Sequence, residues 1–195
     1  MYIIKNIFAA LGAVLVILLI ATMIKLTPIY QRFSSFDVEA YDTYQALAEK
    51  ILATGNAAEA TVWKTRVEKD LTAEDVEEAM LSVANEHNIK NVGVLPLYKQ
   101  IEAMSGQPYR YMKIFMFCNA LTAAKMADYS DAFTAYLPCR VTLLEDKTGQ
   151  LWIYSLNMDL MIYGGLPLPP ELKKEALKVK MIIQEIMARG AAGEF

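Results

Sequence analysis

Between Ile7 and Ile24 the sequence IFAALGAVLVILLIATMI has no polar rhythm, and eighteen residues pass without a charge. As a helix rising 1.5 Å per residue this run is about 27 Å long, close to the thickness of a bilayer's hydrocarbon core. From Phe36 to Leu52 the pattern turns helical: Tyr41, Tyr44, Ala48 and Ile51 recur at three- and four-residue spacing and form one stripe. Ser34 or Ser35 can cap that helix, and Gly55 followed by Asn56 supplies its stop. The stripe has two readings, a stalk helix lying on the domain or the membrane, and a helix docked on a partner. Thr61 to Val67 then alternates, with Trp63, Thr65 and Val67 on one face and Lys64 and Arg66 on the other, as in a half-buried strand.

The next helix has a well-specified start, with Thr72 at the cap, Asp75 three residues on, and Leu71 and Val76 in the staple positions. Val76, Ala79, Met80 and Val83 form its buried face, which runs out near His87 and Asn88. Extended segments follow at 92–97, 109–118, 140–146 and 150–156, the last two joined by a tight turn at Asp146, Lys147, Thr148 and Gly149. Within 109–118, Met112, Ile114, Met116 and Cys118 share one face and Tyr111, Phe115 and Phe117 the other. Both faces are therefore expected to be covered, in a central strand or at an interface. A short helix is expected around 121–127, with a polar turn at 128–131. A long one opens at Pro169 and Pro170, with a seam of Leu172, Ala176, Val179, Ile183 and Ile186 widened by Leu177 and Met181, and closes near Gly190.

This order predicts an α+β fold: an N-terminal transmembrane helix, then a β-α-β4-α domain whose antiparallel sheet packs on the long C-terminal helix. Residues 1–27 are read as the anchor, 28–58 as a stalk with an amphipathic helix, and 59–195 as the α+β domain. Of the 195 residues, 55% are apolar, and the excess sits near the N-terminus. Lys5 and Lys25 bracket the apolar run, and Tyr2 and Tyr30 fall where interfacial aromatics are expected. The competing reading is a cleaved signal peptide. Against it, the run exceeds a usual h-region, and Ala21, Thr22 and Met23 make a poor cleavage site. The N-terminal amine and Lys5 balance Lys25 and Arg32. The short leading tail and Asp37, Glu39 and Asp42 after the run then favour a single pass through the inner (cytoplasmic) membrane, with the main domain on the extracytoplasmic, periplasmic side.

A net charge of -3 with mixed signs and no basic cluster argues against nucleic acid. There is no Gly-x-Ser-x-Gly elbow, Walker loop, Gly-x-Gly-x-x-Gly or His-Glu-x-x-His. His87 is the single histidine, read as a surface residue, so neither a metal nor a haem cofactor is expected. The eleven methionines sit at core spacings. Glu74, Asp75, Glu77 and Glu78 cluster just inside a helix N-terminus, where negative charge is structurally favoured.

Cys118 and Cys139 are the feature with chemical potential. If their strands are antiparallel neighbours the two sulfurs can approach, and three readings stay open: buried structural thiols, a disulfide, or reactive thiols for which Arg140 is the one nearby cation.

The stretch from Phe117 onward, FCNALTAAKMADYSDAFTAYLPCRVTLLEDKTGQLWIYSLNM, resembles the core of Domain of Unknown Function 302 (DUF302). Cys118 and Asn119 match that family's Cys-Asn-Pro segment, and Leu137, Pro138 and Cys139 match its Leu-Pro-Cys segment. Tyr109 and Tyr111 fall in its tyrosine-bearing strand. Ala120 stands where the family usually has proline, which implies a less rigid turn. The resemblance covers roughly 61–189 and implies the β-α-β4-α arrangement, often dimeric, with no agreed activity.

The expected function is a membrane-tethered, non-enzymatic interaction or ligand-binding domain, an accessory subunit of a membrane protein complex. Its partners would be the lipid bilayer and other membrane-protein subunits or a second copy. Tyr109, Tyr111, Phe115 and Phe117 are the interface candidates. The rival is a thiol-based redox or sulfur-transfer protein using Cys118 and Cys139, supported by Asn119, Pro138 and Arg140. A third reading is an apolar ligand held between sheet and long helix.

Overall fold

The structure, a computed structural model, describes residues 2–195; the N-terminal amine in the charge balance above lies outside them. Five strands, β1 (Val62–Arg66), β2 (Lys90–Leu95), β3 (Met112–Cys118), β4 (Cys139–Glu145) and β5 (Leu151–Leu156), form one antiparallel sheet in the order β1-β5-β4-β3-β2. Strand alternation sends Phe115, Phe117, Val141, Leu143 and Ile153 to one face, all at 1% exposure or less. Against that face pack α4 (Ala73–Glu86), through Val76, Met80 and Val83, and α8 (Pro170–Ala192), through Ile182, Ile183 and Ile186. The two helices approach closely at Gly190, where an added Cβ would meet Met80 Cγ at 2.4 Å.

The α+β reading therefore holds, with a β-α-β4-α core. The start of α4 is a full capping box: Thr72 Oγ1 accepts the Asp75 amide, and the Asp75 carboxylate accepts the Thr72 amide. Asp146 organises the β4–β5 turn by accepting from the Thr148 and Gln150 amides and from Trp152 Nε1, while Gly149 takes φ 85°.

Three segments differ from the sequence reading. The expected strand at 92–97 starts earlier and stops at Leu95. Beyond Pro96 the chain forms α5 (Leu97–Ser105), so β2 and β3 are neighbours joined by a helix and not by a hairpin. Here a helical spacing of Leu97, Tyr98 and Ile101 takes over from the alternation of Val92 and Val94; the Tyr98 ring packs tilted by 30° against Tyr111, with centroids 4.8 Å apart, and Gly106 at φ 68° closes the turn. The long strand expected from Tyr109 begins only at Met112. A further short helix, α7 (Asp159–Tyr163), follows β5.

The N-terminal helix α1 (Tyr2–Phe33) is longer than its apolar run and passes through Pro28. The boundary drawn at residue 27 thus falls inside a continuous helix. Proline leaves the Ile24 carbonyl without its helical donor, and separately Thr27 Oγ1 donates to the Met23 carbonyl at 2.7 Å. One span, Ile4–Phe33, is long and apolar enough to cross a membrane, with 0% of it buried against the rest of the chain. Ser34 and Ser35 bond back to the carbonyls of Gln31 and Arg32, closing α1 instead of capping the next helix, as their spacing had suggested. That helix, α2 (Ala40–Thr54), ends at Gly55 with φ 64°. It turns Ala40, Thr43 and Leu47 toward the domain, while Tyr41, Tyr44 and Ile51 of the expected stripe remain exposed. A single turn, α3 (Ala57–Ala60), leads into β1.

Candidate functional site

Phe117 on β3 pairs across the ladder with Cys139 on β4, so residues 119–138 leave the sheet and return to the same end of it. Asn119 starts this excursion, its side chain accepting from the amides of Leu121 and Thr122 at 3.2 and 3.1 Å and capping α6 (Ala120–Tyr129). Ala120 is the first residue of that helix, the position where a proline fits without cost, so its replacement of the family's proline leaves the helix start intact. A 3-10 turn follows (Asp131–Tyr136), and the Leu137–Pro138 peptide is cis where the chain re-enters the sheet.

This insertion roofs an apolar cleft at the end of the sheet. Ala123, Met126 and Phe133 line it from above, Phe117, Cys118 and Cys139 from the sheet, and Met158, Met161, Ala176 and Val179 from the α7 and α8 side. The cleft is narrow, with a cavity volume of about 40 Å³, room for a few water-sized groups. The roof's polar tie to α8 runs through Glu175, which is ion-paired with Lys125 and accepts from Thr122 Oγ1 at 3.2 Å.

Both cysteines are free thiols on this wall, and both are half-buried. Burial pushes the Cys118 thiol up from its ordinary range. Burial, helped by the neighbouring Cys118, pushes Cys139 up to about 11. Both therefore stay protonated at neutral pH. Arg140, the one cation offered by the local sequence, cannot counter this: strand alternation sends it to the opposite face of the sheet, where it is exposed across from Met116. Of the residues singled out in the sequence, Cys118, Asn119 and Cys139 come together at the cleft, with Leu137 beside Pro138 also lining it.

The interface candidates separate. Phe115 and Phe117 are core residues at 1% exposure, closed off by α4 and α8, so they present no surface. The face left without a packed helix pair is the one bearing Met112, Ile114 and Met116, all half-buried. Tyr111 donates its hydroxyl to Glu77, and Tyr109 is exposed at the far end of β3 with its amide on Glu102 Oε1 at 3.0 Å. Glu77 also holds Lys113, and Asp75 is spent in the helix cap, which bears out the structural reading of those two acidic residues. His87 is half-buried and pairs with Glu185 at 2.9 Å.

The third reading had an apolar ligand between sheet and long helix, but sequence reasoning did not find the residues that line the cleft, because its walls come from segments far apart in the chain. A signal existed in Met158 and Met161, spaced one helical turn apart directly after a strand, but without the α7 helix the spacing had no face to belong to.

A family model described as Domain of unknown function DUF302 matches residues 63–190. Among solved structures, the chain resembles the crystal structure of an uncharacterized conserved protein DUF302 from Bacillus stearothermophilus. The TM-score is 0.54 at 16% identity, covering 66% of this chain and 97% of that one, a likeness of fold. No curated protein matches the chain.

Proposed function

The chain belongs to the DUF302 family, and from that premise we propose that it works as a membrane-tethered, non-catalytic binding domain, an accessory to a membrane assembly, that holds a small apolar ligand beneath α6. The observation that carries this reading is the cleft itself, a narrow apolar space enclosed by sheet, insertion and long helix. The tether is α1, inserted in the inner membrane with the domain on the extracytoplasmic side. It is supported by side chains such as Leu15, Ile17 and Leu18, which stand 60%, 64% and 61% exposed with no protein element over them. Solubilised gently, the protein should leave the membrane within a larger complex; migration as a lone monomer removes the accessory role.

The cleft is tested with full-length protein in nanodiscs and a small uncharged photoactivatable probe, a C4 alcohol. Label is expected on α6, the 3-10 turn and Met158–Met161. Ala123→Phe, which fills the roof, should abolish it with the melting temperature unchanged. Absence of label on these segments, or equal label in the filled variant, overturns the reading.

A thiol-based redox or sulfur-transfer role is the second reading, favoured by the shared place of Cys118 and Cys139 on one wall. Their raised pKa values oppose it, because the thiolate is the reacting species. With Cys139 shifted from 9.0 to about 11, its alkylation by iodoacetamide at pH 7 should run about a hundredfold slower than that of an unperturbed thiol, with the rate rising through pH 10. The same shift sets a sign for stability. The unfolded thiol loses its proton first, so folding is weakened as pH climbs from 9 toward 11 and is unaffected by this group below pH 8. Fast alkylation of Cys139 at pH 7 would restore the redox reading.

A further inference from the structure

The sheet has a second face, opposite the one closed by α4 and α8. Two rows of cross-strand partners run across it: Arg66, Trp152, Leu144 and Met112, then Lys64, Tyr154, Thr142 and Ile114. Solvent reaches every one of these side chains, whereas the inward-facing Phe115, Val141, Leu143 and Ile153 are buried. The outward face is therefore a largely apolar floor that the chain itself leaves open.

Its charges are one-sided. The chain carries a net charge of -3, yet Glu145 is the sole acidic residue in the five strands, and alternation places it on the inward side, where it accepts the Tyr111 amide. Lys64, Arg66 and Arg140 stand on the outward side, and Lys90 is exposed at the start of β2. Among the described residues none of these four cations forms an ion pair. Arg66 Nε donates to Gln150 Oε1 at 3.0 Å, and the Lys64 ammonium lies 4.1 Å from the centroid of Trp152. Asp146 and Glu59 are the carboxylates near Lys64, and Asp146 is already spent on Thr148, Gln150 and Trp152.

The cations border the floor. Lys64 and Arg66 lie on one edge strand and Lys90 on the other, four strand spacings or about 19 Å away, with Arg140 at the start of β4 between them. An apolar centre inside a polar rim is the anatomy of a protein interface. The signs decide which partner fits. A second copy laid face to face would set cations against cations, with no strand carboxylate on either side to meet them. A bilayer surface takes up apolar groups that stand clear of the charges, whereas here the cations are exposed and the apolar side chains between them half-buried.

Resting on the reading of the protein as an accessory to a membrane assembly, we infer that the outward face of the sheet is its docking surface and that the partner is an acidic amphipathic segment of another polypeptide. The segment's apolar side chains lie on the floor, and its carboxylates meet Lys64, Arg66, Lys90 and Arg140.

Full-length protein in zwitterionic nanodiscs tests it with fluorescent helical peptides of equal length, leucine on one face and glutamate, glutamine or lysine on the other. The glutamate peptide is expected to bind about tenfold tighter than the glutamine peptide, since several rim pairs add up, and the gap should shrink in high salt. The lysine peptide should bind weakest. Arg66→Glu with Arg140→Glu should close the gap, and Arg66→Gln with Arg140→Gln should narrow it. Lys99→Glu with Lys174→Glu, the same change of charge on exposed positions of α5 and α8, should leave it alone. Equal binding of glutamate and glutamine peptides by the unaltered protein, or an equal loss in the two charge-reversed pairs, overturns the inference. Hydrogen-exchange protection of the outward strands by anionic nanodiscs without peptide overturns it in favour of lipid, and a dimer dissolved by Arg66→Glu with Arg140→Glu overturns it in favour of a second copy. A larger complex on gentle solubilisation, together with peptides that bind alike, removes the docking face and leaves the accessory role. A lone monomer whose sheet still selects the glutamate peptide removes the accessory role and leaves the face.

Discussion

Truncating Phe117 to Ala is expected to lower the unfolding free energy of the domain by about 3–5 kcal/mol, the range for removing a buried aromatic ring from a packed core. The ring is 1% exposed on the central strand β3, lies nearly parallel to Phe115 with centroids 6.4 Å apart, and is closed over by α4 and α8. Phe115→Ala should cost a similar amount, because its burial is the same. The two variants part at the cleft, which Phe117 lines and Phe115 does not. Phe117→Ala should open the floor and increase labelling by the C4 alcohol, whereas Phe115→Ala should leave labelling alone. Urea unfolding in detergent reads the stability cleanly, since both tryptophans, Trp63 and Trp152, lie on strands of the domain and none lies in α1. A loss under about 1 kcal/mol for Phe117→Ala would mean that the ring is not packed as described.

That Phe117 is a core residue could not be read from its own strand. Residues 112–118 are apolar at almost every position, so alternation assigns two faces without saying which one the helices cover. The choice is made by α4 and α8, whose stripes were legible in Val76, Met80, Val83, Ile183 and Ile186, but whose docking side is a tertiary fact. Local signals were read well where the physics is local: the capping box at Thr72 and Asp75, the β4–β5 turn at Asp146, and the stop at Gly55. They failed where a residue has two uses. Ser34 and Ser35 are as good at closing one helix as at opening the next, and only the carbonyls of Gln31 and Arg32 decide. The cysteines show the same division. Their neighbouring strands, and hence their shared end of the sheet, followed from the order of elements. The burial that keeps them protonated accompanies the packing of Cys139 with Met126, Met158 and Ala176, a tertiary arrangement that no motif announced.

Asp37 is the second position where a large effect is expected, and it joins α1 to the domain. Its carboxylate is 1% exposed, ion-paired with Lys173 on α8 and accepting from the Glu39 amide at 3.2 Å, while its own amide donates to Gly165. Burial on its own would raise its pKa, but the hydrogen bonds from Lys173 and the Glu39 amide win, and the group is held below the usual aspartate range. An aspartate so depressed contributes stability above its unfolded pKa of about 3.9 and loses it as pH falls through the lower folded value, so the junction stays latched at pH 5 as at pH 7. Asp37→Ala leaves a partly buried ammonium without its partner and should cost on the order of 2–4 kcal/mol at neutral pH. The damage should be local: faster proteolysis and hydrogen exchange between Phe36 and Thr61, with the β4–β5 hairpin still protected. Restoring an apolar pairing with Lys173→Met in the same chain should recover much of the loss, because two matched apolar groups avoid the stranded charge. If Asp37→Ala left exchange in 36–61 unchanged, α2 would be held by its other contacts, the hydrogen bonds from Tyr44 to Gly164 and from Lys50 to Val62 among them, and the ion pair would not be what latches the junction.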